Sequence, residues 1–453
     1  MKWICSQIGA REHYAIPRVL HRNAKLERLY TDLWGGTMWK SFGSFLGSPA
    51  YSNRYHVDLA DAKVESFDLT TIVDSTFGGS LKEKPFDWFL YVGSDFGKSV
   101  LESLKRKKGI DWKKTIFFGY DTGFLEPGRW VKAQGGRTVV CQMDPSRFEV
   151  DLVREEAKHW PGWSKGPVEV PENYFQRREQ EWAAADLVMV NSGWTKKALI
   201  QQGVNKDKIV IVPLAYELGA TPKLKTEAGT LKAGSGDKIF EADLRAKPWG
   251  NVLANLSEGG CRTGETKNLN SRLQVDSLSV RPLRVLYLGQ VILRKGIQYL
   301  IEAARLLEYE PVKFDIVGAL GISDQVVKSA PANMIFHGAT SRDCAPKFFA
   351  NADLFVLPTI SDGFALTQLE AMASGLPVIA TPNCGEVVTH GQDGLIVPAR
   401  DARLLADSIR SLIANPEKLQ LMSIEAIRKA ELFNLTRLGE ILASLERRLE
   451  TQS

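Results

Sequence analysis

The sequence predicts an α/β protein made of two doubly wound Rossmann-like domains that face each other across a cleft. Short apolar runs alternate with helical patterns in both halves of the chain, which is typical of parallel sheets with crossover helices. The chain has 453 residues, too many for one ordinary core. Two domains of roughly 200 residues each are therefore expected.

The N-terminal domain is expected over residues 1–216, with a first helix after Pro17. Short apolar runs predict its strands at 2–5, 87–92, 115–119, 137–142, 187–191 and 208–212. The stretch 93–99 (GSDFGKS) follows one of these and looks like a phosphate loop. It has three residues between its glycines where four are required, so a turn and a helix start are predicted there.

Residues 217–281 lack sustained periodicity and are expected to form an insertion between the domains. The C-terminal domain follows over 282–430, with strands predicted at 284–288, 313–317, 333–337, 353–357 and 377–380. A helix after Gly296 places five apolar residues on one face. Residues 431–453 carry a last amphipathic helix.

The composition is that of a soluble globular protein, with 44% hydrophobic and 25% charged residues. No apolar run approaches the roughly 18 residues of a membrane span, and residues 1–10 are too short for a signal peptide, so a cytoplasmic location is expected. The five cysteines show neither metal spacing nor an even count, which fits a reducing compartment. The net charge of +5 is mild and does not call for nucleic acid as a partner.

The stretch 361–381 (SDGFALTQLEAMASGLPVIAT) is the most informative one in the chain. Asp362 and Glu370 stand eight residues apart, astride the start of a helix predicted over 364–374. A glycine there lets the backbone approach a neighbour closely, and free N–H groups at a helix start attract a phosphate. The candidate backbone ligands are Gly363, Phe364, Ala365 and Leu366. Because the two acids would repel a phosphate, they suit the hydroxyls of a nucleotide sugar better.

Sugar transfer from a nucleoside diphosphate develops negative charge on the leaving diphosphate, and Arg294 and Lys295 could bind that charge. They lie between a predicted strand and the helix after Gly296; alternatively, they are ordinary surface charges. Two further loops at strand ends, Gly289 with Gln290 and His337 with Gly338, are candidate donor-binding positions. For the second loop, an ordinary strand-to-helix turn is the alternative.

An acid, glycine, phenylalanine and alanine, with a second acid eight residues after the first, resemble the glutamate-x7-glutamate signature of family 4 retaining glycosyltransferases, which have the GT-B fold. The similarity extends over 284–307, 351–358 and 386–398. In the N-terminal half the similarity is only approximate and is found chiefly at 181–204 and 208–217. The resemblance also implies that the last helix crosses back onto the N-terminal domain.

The resemblance implies a role for each matching residue. Lys295 takes the place of the family lysine and Arg294 that of its basic neighbour, Glu370 holds the ribose, and Asp362 contacts the donor sugar. Asp362 is one methylene shorter than the usual glutamate, and Gln290 stands where an arginine is often found.

The implied activity is retaining transfer of a hexose from a nucleoside-diphosphate sugar to a hydroxyl of a saccharide or lipid-linked acceptor, in cell-envelope polysaccharide or glycolipid synthesis. The chain has no Asp-x-Asp pair to bridge a metal and a nucleotide sugar, so neither a metal nor another cofactor is expected. Two alternatives stay open: a nucleotide-sugar epimerase or hydrolase of the same fold, and a non-catalytic nucleotide-binding relative.

The N-terminal half offers weaker candidates. Gly9 and Arg11 open its first strand-to-helix loop, which in the family approaches the sugar or diphosphate. Met143 stands near the place of a family histidine, which leaves Asp144 as the residue to touch acceptor or donor; a helix N-cap before Pro145 is the alternative.

Two surface patterns have two readings each. The aromatic loop 159–163 (HWPGW) either stacks on an acceptor sugar or packs internally. The basic run 105–108 either binds anionic lipid, which would make the protein peripheral at the membrane, or is a solvated helix end.

Overall fold

The structure is a computed structural model that describes residues 1–35, 54–67, 84–164, 169–217 and 281–451. Apart from its two end residues, the insertion expected over 217–281 lies outside the described residues.

The N-terminal domain is built on a seven-stranded parallel sheet in the order β3-β2-β1-β4-β5-β6-β7. Its strands are β1 Lys2–Gln7, β2 Leu26–Thr31, β3 Val64–Ser66, β4 Thr115–Tyr120, β5 Arg137–Gln142, β6 Leu187–Val190 and β7 Ile209–Ile211. Its helices are α1 Ala15–Arg22, α2 Pro85–Arg106, α3 Leu125–Ala133, α4 Arg147–His159, α5 Glu172–Ala184 and α6 Gly193–Gln201. The expected doubly wound architecture is confirmed here.

The C-terminal domain repeats this architecture with six parallel strands in the order β10-β9-β8-β11-β12-β13. Its strands are β8 Leu283–Leu288, β9 Val312–Val317, β10 Met334–Gly338, β11 Leu354–Leu357, β12 Val378–Ala380 and β13 Gly394–Ile396. Its helices are α7 Ile297–Leu306, α8 Asp324–Lys328, α9 Ala345–Asn351, α10 Leu366–Ala373, α11 Ala402–Ile413 and α12 Pro416–Glu431, and α13 Leu435–Thr451 ends the chain. Across the described ranges, no helix is both long and apolar enough to cross a bilayer.

Both sheets reverse their winding direction at one point, between β1 and β4 in the first and between β8 and β11 in the second. Loops that leave the carboxyl ends of such neighbouring strands diverge to opposite faces and open a crevice between them, where ligands of doubly wound sheets bind. In the C-terminal domain these loops carry Lys295, after β8, and Asp362, after β11.

The strand predicted at 87–92 is wrong, because this segment forms the first turns of α2. The aromatic run reads as a buried strand, but Pro85 occupies the first turn of a helix that buries Phe96, Val100 and Leu104 at helical spacing. The turn predicted at 93–99 is therefore wrong as well. Gly93 lies inside the helix, where a Cβ would overlap the Thr122 side chain.

Three strands were not predicted: β2, β3 and β13. In β2 the charged residues interrupt the apolar pattern, and the other two strands have only three residues each at the edges of their sheets. A three-residue segment is too short for its periodicity to distinguish a strand from a loop.

The last helix, α13, packs on the N-terminal domain although it follows the C-terminal one. Leu438, Leu442 and Leu445 join the buried cluster that contains Trp3 and Phe118. The two domains are therefore connected twice, by the chain between the sheets and by this return.

We expect Leu442→Ala to lower the free energy of unfolding by about 2–5 kcal/mol, because the side chain is 2% exposed and its loss leaves a cavity. Leu421→Ala is the matched control, since that leucine is 66% exposed and its loss should cost less than about 0.5 kcal/mol. Urea titration measures both. Equal destabilisation by the two variants would contradict the described packing of α13.

Candidate active site

The C-terminal half of the site is centred on an ion pair between Lys295 and Asp362. The lysine ends a short turn after β8, and Gly296, in the left-handed conformation with φ of 74°, connects that turn to α7. A Cβ on Gly296 would also overlap the Pro358 carbonyl after β11. The close approach of the two loops brings Lys295 Nζ onto Asp362 Oδ2, with both side chains about 15% exposed.

Asp362 is held as a carboxylate. Burial alone would raise its pKa, but Lys295, Arg294 and the Phe364 N–H outweigh burial, so the pKa lies below its usual range. Arg294 extends the cationic patch, with Nη1 4.0 Å from Asp362 Oδ1 and donating to the Ser361 carbonyl at 3.2 Å. The sequence-predicted cations and this acid therefore do meet in one place.

The glycine of the signature allows the close backbone approach that the sequence predicts, and the neighbour that it approaches belongs to the other domain. A Cβ on Gly363 would overlap the main-chain carbonyl of Met143, which belongs to the N-terminal domain. The N–H of Phe364 donates to the Asp362 carboxylate, and that of Ala365 donates to the Cys384 carbonyl at 3.2 Å. These two amides are thus occupied within the protein, unlike the free donors expected at the helix start.

Glu370 lies on α10, one turn beyond Leu366, with its side chain 20% exposed. Burial raises the pKa of its carboxyl, and Arg342 Nη2, 3.9 Å from Oε1, partly opposes the rise. A half-buried carboxylate with one distant cationic partner keeps acceptor capacity for hydroxyl groups.

The other two candidate donor-binding loops are at the carboxyl ends of β8 and β10, the two strands that flank β9. Gly289 follows β8 so closely against β9 that a Cβ on Gly318 would overlap the Gly289 carbonyl, and Gln290 beside it is exposed. His337 pairs through Nε2 with Asp315 Oδ1 at 2.7 Å. Its Nε2 is therefore engaged with the sheet, and the backbone of His337 and Gly338 stays a candidate contact for a nucleotide.

In the N-terminal half, Asp144 is bound to Arg178. The two make a bidentate pair with both N–O distances at 2.9 Å, and Asp121 Oδ2 lies 2.5 Å from the same guanidinium. Burial works to raise the pKa of Asp144, but Arg178 outweighs it and the pKa lies below its usual range. The carboxylate also accepts from the Ser146 N–H at 2.8 Å, and α4 begins only at Arg147, so Asp144 is not its N-cap.

The loop after β1 is strained. Glu12, His13 and Tyr14 have φ values of 50°, 51° and 60°, in the left-handed region that costs a non-glycine residue roughly 1–2 kcal/mol. Tyr120, at the end of β4, packs against this turn. It donates its hydroxyl to Glu12 Oε1 at 3.2 Å, and the Arg11 guanidinium lies over its ring at 4.9 Å from the centroid. Three such residues in a row mark a loop whose shape is imposed by its surroundings.

A cavity of about 470 Å³ opens beside this loop, within the size range of small-molecule sites. It lies entirely in the N-terminal domain, between α2 and the carboxyl ends of β1, β4 and β5. Its floor combines charged and aromatic side chains, among them Arg11, Asp121, Asp144, Tyr174, Arg178 and Phe96. The described residues include no group of three His, Cys, Asp or Glu placed to hold a metal ion.

The structure shows the contacts of both surface patterns. The aromatic loop packs internally, because Trp160 contacts Trp163 of the same loop and Tyr299 of the C-terminal domain, with ring centroids 4.8 and 5.6 Å apart, respectively. In the basic run, Lys105 and Lys107 are bound by Glu102 and Glu65, at 2.8 and 2.7 Å.

Two side chains that reach across the cleft were not predicted from the sequence. Glu149 on α4 and Trp194 on α6 both bond Ser361 of the C-terminal domain. Trp194 lies inside one of the stretches that carry the family resemblance, which was the available signal. Glu149 carried none, because a single glutamate on an amphipathic helix is ordinary.

Residues 282–415 match the family described as glycosyl transferases group 1. The D-inositol 3-phosphate glycosyltransferase of Rhodococcus jostii is 26% identical over 313 residues, which are 63% of this chain and 67% of that enzyme. An N,N'-diacetylbacillosaminyl-diphospho-undecaprenol alpha-1,3-N-acetylgalactosaminyltransferase of Campylobacter jejuni is 29% identical over 161 residues, 34% of this chain and 39% of that enzyme.

Among solved structures, Anabaena HepE in complex with UDP is similar over 98% of this chain and 99% of that one, with a TM-score of 0.58 and 14% identity. At that identity the likeness shows the fold alone. The GT-B fold predicted from the sequence is confirmed.

The buried carboxyl of Glu12 predicts a pH effect on stability. Burial raises its pKa to about 7, against the Tyr120 hydroxyl and Arg11, while Cys141 is its further titratable neighbour. The folded chain keeps this proton to near neutral pH, whereas the unfolded chain releases it near 4.5. The contribution of this carboxyl to the free energy of unfolding is therefore complete below pH 4.5 and is lost as pH rises through about 7.

Glu12→Gln stays neutral, so its Tm should fall less than that of the parent between about pH 5 and 8. Thermal unfolding over that range measures the two slopes. Glu417→Gln removes an exposed glutamate and should keep the parent slope. Equal slopes in the parent and in Glu12→Gln would contradict the burial of this carboxyl.

Proposed function

We propose that this chain, in which residues 282–415 match the glycosyl transferases group 1, transfers a hexose from a nucleoside-diphosphate sugar to a hydroxyl of a saccharide or lipid-linked acceptor, with retention of the anomeric configuration. One observation supports this most directly. Two cations and one acid, Arg294, Lys295 and Asp362, meet at the switch point of the C-terminal sheet, and Glu370 lies on the helix that follows Asp362.

We assign each of these side chains to one part of the donor. Arg294 and Lys295 bind the diphosphate, because the developing negative charge needs cations in a site partly screened from water. Glu370 accepts from the ribose hydroxyls. Asp362 is held ionised beside Lys295 and accepts from hydroxyls of the hexose.

Retention follows if the acceptor attacks on the face from which the diphosphate leaves. The bond from the anomeric carbon to the acceptor oxygen forms while the bond to the diphosphate oxygen breaks. The acceptor proton passes to that departing oxygen, which the cations have stabilised. No cofactor enters this scheme, and the cations take the role that a divalent metal has in other nucleotide-sugar enzymes.

The acceptor is assigned to the cavity of the N-terminal domain. Asp144 lines that cavity and lies close enough to Arg294 for the guanidinium to lower its pKa, so the cavity adjoins the diphosphate-binding cations. The named relatives act on inositol phosphate and on an undecaprenol-linked saccharide, which is why saccharide and lipid-linked acceptors are proposed. Cell-envelope polysaccharide or glycolipid synthesis in the cytoplasm, at the membrane face when the acceptor is lipid-linked, is the matching context.

We expect Lys295→Ala to lower the transfer rate on the order of 100-fold, about 3 kcal/mol, because it removes a preorganised charge partner of the leaving group. Glu370→Ala should mainly raise the KM for the donor, since ribose contacts are made before and during transfer. Initial rates over a range of donor concentrations separate the two effects.

Lys313→Ala is the matched control, because that lysine is exposed and lies near the amino end of β9, at the opposite edge of the same sheet. Thermal melts of all variants verify folding, since Lys295→Ala removes the nearest cationic partner of a buried carboxylate. If Lys295→Ala and Glu370→Ala both transfer sugar at the parent rate, the assignment is wrong. Donor turnover that needs no acceptor would instead indicate an epimerase or hydrolase.

A thermal-shift screen over UDP-glucose, GDP-glucose and ADP-glucose identifies the donor base. A ligand at about 100 times its Kd stabilises the folded chain by about 2.7 kcal/mol, which raises Tm by several degrees. The preferred nucleotide should give the largest shift, and Lys295→Ala should reduce it. Absence of any shift in the parent at millimolar concentrations would contradict nucleotide-sugar binding.

A further inference from the structure

The loop that carries Asp362 is held by the N-terminal domain. The residue before Asp362, Ser361, donates its hydroxyl to Glu149 Oε2 at 2.8 Å and accepts from the Trp194 indole N–H at 3.0 Å. The residue after Asp362, Gly363, lies directly against the Met143 carbonyl. The loop position is therefore set by both domains together.

Glu149 also faces the diphosphate-binding cation. Its Oε1 lies 3.5 Å from Arg294 Nη1, and the two side chains are 15% and 23% exposed. The same Nη1 donates to the Ser361 carbonyl at 3.2 Å. One carboxylate thus contacts the guanidinium with one oxygen and the neighbouring loop with the other. In such a screened position an ion pair restricts orientation more strongly than it would at the surface.

Resting on the proposed function, we propose that Glu149 is a positioning residue for Arg294 and for the loop of Asp362. Its carboxylate crosses the cleft from the N-terminal domain and holds the diphosphate-binding side chains in their working geometry.

The helix that bears Glu149 is itself fixed on the C-terminal domain. Glu156, seven residues and about two turns further, lies on the same face of α4. Its Oε2 accepts from Gln298 Nε2 at 2.9 Å and from Tyr299 Oη at 3.0 Å, and Arg400 Nε lies 2.5 Å from its Oε1. Glu156 therefore fixes this face of α4 against the C-terminal domain. Because Glu149 is on the same helix, the position of Glu149 beside Arg294 depends on these contacts.

The environment of Glu149 gives the proposal a pH signature. Burial raises the pKa of its carboxyl to about 7, with Arg294 and the Ser361 hydroxyl opposing and Asp144 and Asp362 adding to the rise. Positioning through an ion pair needs the ionised form. The contribution to kcat should therefore grow as pH rises through about 7.

The test compares Glu149→Gln with the parent, using whichever of UDP-glucose, GDP-glucose and ADP-glucose gives the largest thermal shift. The glutamine amide keeps an oxygen that can accept from the Ser361 hydroxyl, but it lacks the negative charge that faces Arg294. We expect kcat to fall about tenfold at pH 8, with the Kd for the matching nucleoside diphosphate within about twofold or tighter, because orientation matters most in the transition state. The rise of kcat between about pH 6 and 8 should also disappear.

Glu155→Gln is the matched control, because it lies on the same helix and pairs with Arg400 at 2.8 Å instead of Arg294; it should keep the parent kcat and pH profile. Glu149→Asp, which keeps the charge, should recover part of the pH dependence. If Glu149→Gln melts well below the parent, Glu149→Asp and Ser361→Ala provide the comparison.

The outcomes separate two failures. A parent chain that turns over none of the three donors contradicts the proposed function. A parent that turns one over, with an unchanged kcat and pH profile in Glu149→Gln, contradicts the positioning role alone. A Glu149→Gln variant that is faster than the parent would overturn it too, since Glu149 would then be an inhibitory stand-in for the diphosphate.

Discussion

The absence of a side chain at residue 363 is the constraint on which the described site depends. Because Gly363 lies against the Met143 carbonyl, the loop after β11 and the loop after β5 share one surface, with no room for a Cβ between them. That contact brings the carboxyl ends of the two sheets together. It also places Ser361 within reach of two N-terminal side chains, so the donor-binding loop is shaped by both halves of the molecule.

Charge compensation follows from this closeness. Arg294 and Lys295 are mostly removed from solvent, and such cations are costly unless carboxylates face them. Asp362 and Glu149 provide these partners, one from each domain. A diphosphate that enters the site must therefore share or exchange partners that already exist. Under the proposed function, the energy of donor binding is therefore linked to the interface between the domains, and not to the C-terminal domain alone.

Much of the C-terminal domain could be predicted from the sequence, because its strands are continuous apolar runs that need no distant partner to be identified. The five strands predicted there lie within one residue of the observed bounds. In the N-terminal domain the start of α2 was wrongly predicted as a strand by the same reasoning. A short aromatic run is apolar at both periods, and only the packing of Phe96 and Val100 beyond it decides for a helix.

The sequence by itself determined the two-sheet architecture and the meeting of Arg294 and Lys295 with Asp362. Alternating periodicity fixes a parallel sheet, and strand-end loops at a switch point converge whatever their detailed packing. Only the tertiary structure decided what these residues face: Glu149 against Arg294, Trp194 on Ser361, Arg178 on Asp144. These partners are separated by tens to hundreds of residues in the chain. Contacts of that kind arise from the approach of whole surfaces, and no local pattern encodes them.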